Sequence, residues 1–416
     1  MNEKLYHDAQ IIIAKTIAAV LPDETVKKYL NKLPTCKGKI YLVAIGKAAY
    51  QMALAAQEQI GEQINDGIII TKYGHSKQPI AKLRCFEAGH PIVDDNSCKA
   101  SKAVWEMTNN LSKDDLVVFL LSGGGSALFE IPLIPLAQLQ AINEQLLRCG
   151  ASIEEINTIR KRLSQVKGGK FARHCAPAKV YTIILSDILH DPIDMIASGP
   201  SANDHTTSQE ALDIVAKYQL AISQEALACL KMAAVNDLDN SEIVIGNGVA
   251  SLAQAAKKAT ENLGYYSMIL SDCIDGEAKS IGQMMANIAR YQHLQPAKRA
   301  YIIAGESIVY VKGKGKGGRN QEMALSAASK IAGLDNVAFF CIGSDGTDGP
   351  TDAAGGYVDG DSYAKLLANN INVEQMLADN DAYNALARCA GLIKLGPTGT
   401  NVNDFAVLLI DEPKVN

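Results

Sequence analysis

The sequence has no closely spaced cysteine pairs. Its nine cysteines are odd in number and scattered, and no two of them stand at C-x-x-C spacing. This distribution argues against a disulfide framework and against a structural zinc site. We therefore expect reduced thiols and a cytoplasmic location.

The chain also lacks a positive charge excess and a long apolar run. Its net charge is -5 and its pI is about 5.9, which disfavours broad attraction to nucleic acid or acidic lipid. The most apolar early segment, IIIAKTIAAV, is interrupted by Lys15 and is too short to span a bilayer. The sequence thus predicts a protein with neither a nucleic-acid nor a membrane partner, and any anion site must be local.

Several nucleotide-binding signatures are missing. There is no G-x-x-x-x-G-K-[ST] loop, no H-R-D with D-F-G, and no G-x-G-x-x-G after the first predicted strand. These absences exclude a P-loop enzyme and a protein kinase, and they weaken a nicotinamide-dependent interpretation.

Short apolar strands alternate with longer amphipathic helices along the 416 residues. This alternation predicts an α/β protein with a mostly parallel sheet, and segments such as DLVVFLLS are apolar enough for burial on both faces. A polar stretch, Val235–Glu242, predicts a boundary near residue 238, so we expect domains 1–238 and 239–416. In the second domain SIVYV (Ser307–Val311) indicates a hairpin, which predicts a mixed sheet there.

The most informative segment is Lys312–Glu322, which reads KGKGKGGRNQE. Four cations alternate with four glycines, and a helical pattern follows from Arg319. Glycines let backbone N–H groups approach an anion, and a helix N-terminus adds partial positive charge. This segment predicts a site for an anionic, phosphorylated small molecule.

Two further candidate anion-binding segments follow predicted strands. One is Gly46-Lys47, and the other is the glycine-rich turn Ser122-Gly123-Gly124-Gly125-Ser126. Ligands of open parallel sheets collect at the carboxyl ends of the strands, and a turn of this type can cradle phosphate. A surface lysine and a packing turn are the alternatives. No G-x-S-x-G surrounds Ser126, so a hydrolase serine is disfavoured.

Three carboxylates in two loops are candidates for metal binding. Asp187 follows the strand KVYTIILS, while Asp345 and Asp348 lie in GSDGTDGPTD. Such oxygen ligands suit Mg²⁺ or Ca²⁺, although helix capping by Asp187 and a solvated loop around Asp345 stay open. GPTGTNVND (396–404) adds polar groups, and the basic helix predicted over 159–174 is interpreted as solvated or substrate-facing.

Taken together, these segments resemble the glycerate 2-kinases, whose C-terminal half is known as the MOFRL domain. The segments that carry the resemblance are AIGKAA, EAGHPIVDDNS, LLSGGGSAL, INTIRKRLSQVKGGKFA, ILSDILHDPIDMIASGP, GKGKGGRNQEMAL, GSDGTDGPTDAAGG and GPTGTNVND. They cover nearly the whole chain in order. His205 stands where the family pattern suggests proline.

The resemblance implies a Rossmann-like domain and a smaller mixed α/β domain with the active site in the cleft between them. It implies ATP- and Mg²⁺-dependent phosphorylation of the 2-hydroxyl of D-glycerate by a monomer or homodimer. Lys47, Asp187 and Arg319 would be catalytic, and Asp187, Asp345 and Asp348 would bind the metal. The residues implied to bind the nucleotide are Ser122, Gly123, Gly124, Gly125, Ser126, Lys316 and Gly317.

Two alternatives stay open at this point. Some relatives are labelled hydroxypyruvate reductases, which keeps a nicotinamide-dependent reductase as the second hypothesis. A non-catalytic protein that binds phosphorylated metabolites is the third.

Overall fold

The computed structural model describes residues 2–186 and 192–413, in which the strands form two six-stranded sheets. The strands of the first sheet are β1 (Ile40–Ile45), β2 (Ile64–Lys72), β3 (Leu83–Ala88), β4 (Leu116–Leu121), β5 (Lys179–Leu185) and β6 (Ser241–Asn247). Those of the second are β7 (Tyr266–Ile274), β8 (Arg299–Gly305), β9 (Val337–Gly343), β10 (Gly355–Asp359), β11 (Leu392–Ile393) and β12 (Asp404–Ile410).

Helices connect these strands and cover the sheets. The helices that precede β6 in the chain are α1 (Glu3–Ala19), α2 (Pro22–Leu30), α3 (Ala49–Ile60), α4 (Asp95–Met107), α5 (Gly125–Leu128), α6 (Leu136–Arg148), α7 (Ile153–Arg162), α8 (Lys170–Cys175), α9 (Ser208–Tyr218) and α10 (Gln224–Leu230). The others are α11 (Val249–Glu261), α12 (Ala278–Gln292), α13 (Arg319–Ala327), α14 (Ser362–Ala368), α15 (Val373–Ala378) and α16 (Ala382–Arg388). Capping boxes start α4, α7 and α9. None of these helices is long and apolar enough to cross a membrane.

The first sheet has the strand order β3-β2-β1-β4-β5-β6, and β1 to β5 pair in parallel. From β1 the chain first adds β2 and β3 on one side of the sheet, and it then returns to add β4, β5 and β6 on the other side. The order of strand addition therefore reverses between the neighbouring strands β1 and β4. Such a reversal leaves a crevice at the carboxyl ends of the two central strands. The predicted parallel sheet is confirmed, and the apolar run of β4 is buried at every position.

The second sheet is mixed and has the order β11-β10-β9-β12-β8-β7. Only β7 and β8 pair in parallel among its registered pairs. Strand β12 is central and wholly buried, and its first residue, Asp404, lies opposite Gly305 of β8 and Gly343 of β9. The α/β architecture with a second, mixed sheet is as predicted.

The described chain divides into two compact units. The first unit contains residues 22–186 and 192–246, and the second contains residues 2–21 and 247–413. This division differs from the predicted domains 1–238 and 239–416. Helix α1 packs with α11 and the second sheet, where Leu5 and Ile12 share a core with Val249 and Tyr357. Strand β6 completes the first sheet, although the sequence placed it in the second domain.

Two local predictions were wrong. Ser307–Val311 forms only an isolated bridge between Ile308 and Glu277 instead of a hairpin strand. The single basic helix predicted over 159–174 is instead two helices, α7 and α8, separated by a turn with left-handed glycines at 168 and 169. Three of its cations, Lys161, Arg162 and Lys167, are buried, so this segment is not a solvated face.

Candidate active site

The first unit brings Lys47 and the glycine-rich turn together at the carboxyl ends of β1 and β4. The Lys47 N–H donates to the Gly123 carbonyl at 2.9 Å, and the Ala48 N–H donates to Ser122 Oγ at 3.1 Å. Gly46 has φ +124°, and a Cβ there would lie 2.2 Å from Ser122 Oγ. The two turns are therefore locked against each other at the point where the strand order reverses. Ser122 is buried and its hydroxyl is used within this turn.

The turn presents backbone N–H groups that find no acceptor among the described residues. They belong to Gly123, Gly124, Gly125 and Ser126, at the start of the short helix α5. Gly124 has φ +89°, and a Cβ there would lie 2.9 Å from the His90 ring and 3.3 Å from Lys47 Cγ. Only glycine leaves room here, and the adjacent lysine adds a full positive charge. This arrangement suits an anionic oxygen.

A chain of hydrogen bonds holds the hydroxyl of Ser126. Ser126 Oγ lies 3.0 Å from Ser198 Oγ, and Ser198 Oγ donates to Asn157 Oδ1 at 2.8 Å. Ser198 lies in a strained segment, because Ala197 (φ +51°), Ser198 (φ +61°) and Gly199 (φ +63°) are all left-handed. Strain of this kind persists only where the surroundings impose it, and it is frequent at functional sites.

A cavity of about 240 Å³ opens beside this hydroxyl within the first unit. Its polar walls are formed by His90, Ser126, Glu130, Asn143 and Arg160. Burial and the nearby charge of Lys47 lower the pKa of His90, so its ring is neutral at pH 7. Burial also lowers the pKa of Arg160, an effect that the charge of Glu130 partly offsets.

In the second unit, Arg319 is held by two carboxylates. Its Nε and Nη2 donate to the two oxygens of Asp404, the latter at 3.1 Å, and its Nη1 donates to Glu306 Oε1 at 2.7 Å. Burial opposes the charge of Arg319, but the hydrogen bonds and charges of its partners raise its pKa. Burial raises the pKa of Asp404 to about 6, despite the opposing effect of Arg319.

The lysine- and glycine-rich loop before α13 differs from its predicted form. Most of its N–H groups are not free for an anion, since those of residues 312 to 316 donate to the turn Asp379–Asp381 at 2.8 to 3.0 Å. Glycines at 313 and 315 permit this docking, because a Cβ on either would lie less than 2.5 Å from the turn. The N–H groups of Gly317 and Gly318 find no acceptor among the described residues. The exposed Lys316 has its Nζ 4.3 Å from the Tyr383 ring centroid.

The predicted metal ligands have different surroundings. Asp348 is buried and caps α13, because its carboxylate accepts the backbone N–H groups of Asn320 at 3.2 Å and Gln321 at 2.9 Å. Asp345 is half-buried, and one of its oxygens accepts the Thr347 N–H at 2.9 Å. Asp187 lies outside the described residues. Among those described, no three His, Cys, Asp or Glu side chains form a group that could hold a metal ion.

A second cavity, of about 530 Å³, lies within the second unit and is lined by Arg319, Asp345 and Asp404. Two other lining side chains are buried but unpartnered among the described residues, namely Ser307 Oγ and Asn403 Nδ2. A buried polar atom without a partner is costly, so such atoms point to a ligand. Asn403 belongs to the polar segment 396–404 noted in the sequence, whereas Ser307 is a functional candidate that the sequence did not single out.

Comparison with known proteins gives matches over both parts of the chain. A domain of unknown function, DUF4147, matches residues 8–231, and the MOFRL family matches residues 299–404. A D-glycerate 2-kinase from Thermotoga maritima is 46% identical over 96% of this chain and 97% of its own. The chain belongs to the glycerate 2-kinase family.

The crystal structure of a glycerate kinase from Thermotoga maritima agrees with this membership. It superimposes with a TM-score of 0.95 at 45% identity, and the match covers 98% of this chain and all of that one. A protein from Agrobacterium vitis named as a putative hydroxypyruvate reductase is 37% identical over 94% of this chain and 92% of its own. The glycerate 2-kinase family, with its C-terminal MOFRL domain, is thus confirmed as the resemblance predicted.

Within this family framework, the site residues predicted from sequence fall into two clusters. Lys47 and the turn 122–126 lie together in the first unit, and Arg319, Lys316, Gly317, Asp345 and Asp348 lie in the second. Their catalytic and binding roles stay predictions. The sequence did not single out His90, Glu130 or Glu306, whose neighbours in space are distant in the chain.

Proposed function

We propose that the protein transfers the terminal phosphoryl group of ATP to the 2-hydroxyl of D-glycerate, with Mg²⁺ as cofactor. The observation that carries this proposal is the juxtaposition of Lys47 with four acceptor-free N–H groups at the reversal point of the first sheet. The relatives named as glycerate kinases, which match nearly the whole chain, supply the substrate and reaction class.

In this reaction the chain supplies charge and position, which is most of what phosphoryl transfer requires. Lys47 stabilises the charge that develops on the transferring group, and the N–H groups of residues 123–126 hold its oxygens. Arg319 is proposed as the second catalytic cation. Lys316 and the N–H of Gly317 are proposed to bind nucleotide phosphates, because this N–H is free and that side chain is exposed.

The predicted metal ligands differ in how well their surroundings suit a metal ion. The carboxylate of Asp345 is half-exposed at the wall of the larger cavity and suits a hard cation. Asp348 does not fit, because both of its oxygens already accept backbone N–H groups. Asp187 is proposed as a metal ligand or as the acceptor of the substrate's hydroxyl proton. A bound Mg²⁺ would neutralise negative charge on the phosphates.

Three finer proposals accompany this function. The first sheet has the strand order 3-2-1-4-5-6 of Rossmann domains, which supports the description of this part of the chain as Rossmann-like. A cytoplasmic location is consistent with nine unbonded cysteines. The active form is proposed to be a monomer or a homodimer.

The decisive experiment is an assay of the purified protein with ATP, Mg²⁺ and D-glycerate, with products resolved by phosphorus NMR. The expected product is 2-phosphoglycerate, formed with stoichiometric ADP. Exclusive formation of 3-phosphoglycerate would reject the proposed regiochemistry, and no phosphorylation of D-glycerate would reject the function.

Hydroxypyruvate reduction is the second candidate, because two relatives from Agrobacterium vitis are named as putative hydroxypyruvate reductases. The turn after β1 reads Gly46-Lys47-Ala48 and lacks the glycine fingerprint of dinucleotide sites. Oxidation of NADH or NADPH by hydroxypyruvate, at a rate unchanged when Mg²⁺ is removed, would favour the reductase.

A further inference from the structure

The cavity of about 240 Å³ in the first unit has a distinctive arrangement of hydrogen-bonding groups. We call it the Arg160 cavity and define it by His90, Ser126, Glu130, Asn143 and Arg160. Sites for drug-sized ligands usually measure about 300 Å³ or more. The Arg160 cavity is therefore suited to a molecule of a few non-hydrogen atoms and is small for a whole nucleoside triphosphate.

The hydroxyl of Ser126 faces this cavity as an acceptor. Asn157 is 2% exposed, and its Oδ1 accepts the Ser198 hydroxyl hydrogen at 2.8 Å. Since that hydrogen is committed, Ser198 Oγ must accept the hydrogen of Ser126 at 3.0 Å. A hydroxyl carries a single hydrogen, so Ser126 Oγ offers a ligand only its lone pairs. The left-handed segment 197–199 fixes this direction by holding Ser198 in place.

Glu130 adds a second acceptor to the wall of the cavity. It is 2% exposed, and its Oε2 accepts a hydrogen bond from the buried Lys167 Nζ at 2.6 Å. Its Oε1 is enclosed and has no hydrogen-bond partner among the described residues. A phosphate has no hydrogen to donate at its fully ionised oxygens, so it would leave both of these acceptors without a hydrogen bond. Glu130 and Ser126 Oγ therefore select a ligand that carries a hydroxyl.

Arg160 supplies the complementary donors. Its Nε donates to Asn143 Oδ1 at 2.8 Å, which fixes the plane of the guanidinium. Its Nη1 and Nη2 groups make no hydrogen bond or ion pair with another described residue. A guanidinium with a free edge matches a carboxylate in a bidentate geometry.

We propose that the Arg160 cavity binds the small hydroxy acid that accepts the phosphoryl group. The acid's carboxylate lies on the free edge of Arg160, and its non-reacting hydroxyl donates to Ser126 Oγ with Glu130 behind it. The backbone N–H of Ser126 stays available to the transferring group. This assignment deepens the proposed function and rests on it, and it makes Arg160 and Ser126 the residues that determine substrate specificity.

Steady-state kinetics of the full-length protein test the assignment. In Arg160→Lys, which keeps the charge but loses the fork, the KM for D-glycerate should rise at least tenfold while the KM for ATP stays within twofold. In Ser126→Ala, the ratio of kcat/KM for D-glycerate to that for D-lactate, which lacks the 3-hydroxyl, should fall about tenfold. Arg148→Gln is the matched control, because Arg148 is exposed on α6 and its ion pair within the described part of the chain is with Glu144.

The outcomes separate the two hypotheses. A wild-type protein that phosphorylates glycerate, with variants whose glycerate KM and substrate ratio are unchanged, would overturn the assignment alone. So would variants that raise only the KM for ATP, since the cavity would then belong to the nucleotide. A wild type without glycerate turnover would reject the proposed function. In that case, calorimetric titration with D-glycerate still tests the cavity, because it measures the binding affinity of wild type and of Arg160→Lys without turnover. Equal affinities, or no binding to either protein, would overturn the assignment.

Discussion

Arg319 donates two hydrogen bonds to the carboxylate of Asp404. Arg319 is the first residue of α13, and Asp404 is the first residue of β12. This pair joins a helix N-terminus to the central strand of the second sheet. Its charges do not balance locally, because Glu306 also accepts a bond from Arg319 at 2.7 Å. An anion that binds Arg319 must therefore compete with Glu306, whose side chain is the more exposed of the two carboxylates.

The competition at Arg319 gives the first prediction. Replacing Arg319 with lysine keeps one positive charge beside buried Asp404 but removes the two-pronged contact. We expect kcat/KM to fall about 100- to 1,000-fold, the scale for one electrostatic group in a transition state. Glu306→Gln should keep the fold and lower the KM of an anionic substrate. Equal activity of wild type and Arg319→Lys would remove Arg319 from the catalytic set.

The raised pKa of Asp404 gives a pH-dependent prediction for activity. Because burial brings this pKa to about 6, acidification through that value protonates the carboxyl and releases its grip on Arg319. We expect kcat/KM to fall as the pH is lowered through about 6, with a one-proton slope. The matched variant Asp404→Asn should lose this limb. A limb that survives in the variant would belong to another group, such as His90.

The same carboxyl predicts an opposite trend for stability. The native pKa of about 6 lies above the unfolded value of about 3.9, so the native state holds the proton over that interval while the unfolded state does not. The contribution of Asp404 to the free energy of unfolding should thus decrease as the pH rises from about 4 to 6. Urea titrations at several pH values measure this slope, and an identical slope in Asp404→Asn would contradict it.

Much of the architecture could be predicted from sequence because its signals are local. The apolar run of β4 and the glycine turn after it are contiguous in the chain, so the sequence predicted a buried parallel strand that ends in an anion-binding turn. Lys47 directly follows another predicted strand, so its position at the same edge of the sheet could be predicted as well. Strand β6 was assigned to the second domain but lies in the first sheet, because the residues of a strand do not indicate which other strand it pairs with. Likewise, nothing in the sequence of helix α1 indicates that it packs against α11, which is more than 200 residues away in the chain.

The site was less predictable because its decisive contacts join residues far apart in the chain. The N–H groups of the lysine- and glycine-rich loop are taken up by Asp379–Asp381, more than sixty residues later. Asp348 has the composition of a metal ligand, but the backbone of α13 occupies its oxygens. Glycine alternation and acidic loops predict flexible ligand sites, whereas only the fold shows which groups are already paired.

The different surroundings of Asp345 and Asp348 predict different effects of mutation. Asp348→Ala strips a buried cap from α13 and should lower the free energy of unfolding by about 2–4 kcal/mol. Asp345→Asn should leave stability nearly unchanged and raise the Mg²⁺ concentration for half-maximal activity. Denaturant titration and metal-dependent kinetics on both variants make the comparison. A stable Asp348→Ala protein with a shifted Mg²⁺ requirement would restore Asp348 as a ligand.

Lys47 contrasts with Arg319, because its ammonium group forms no ion pair with a described carboxylate. Its charge is therefore available to a ligand at the N–H groups of the adjacent turn. Lys47→Ala should lower kcat by about 100- to 1,000-fold without changing the melting temperature, since no buried partner is left unpaired. Lys77→Ala, at an exposed position, is the control for a general effect of charge. If Lys47→Ala retained near-normal kcat and only raised KM, the lysine would bind substrate and transition state equally, and its catalytic role would be lost.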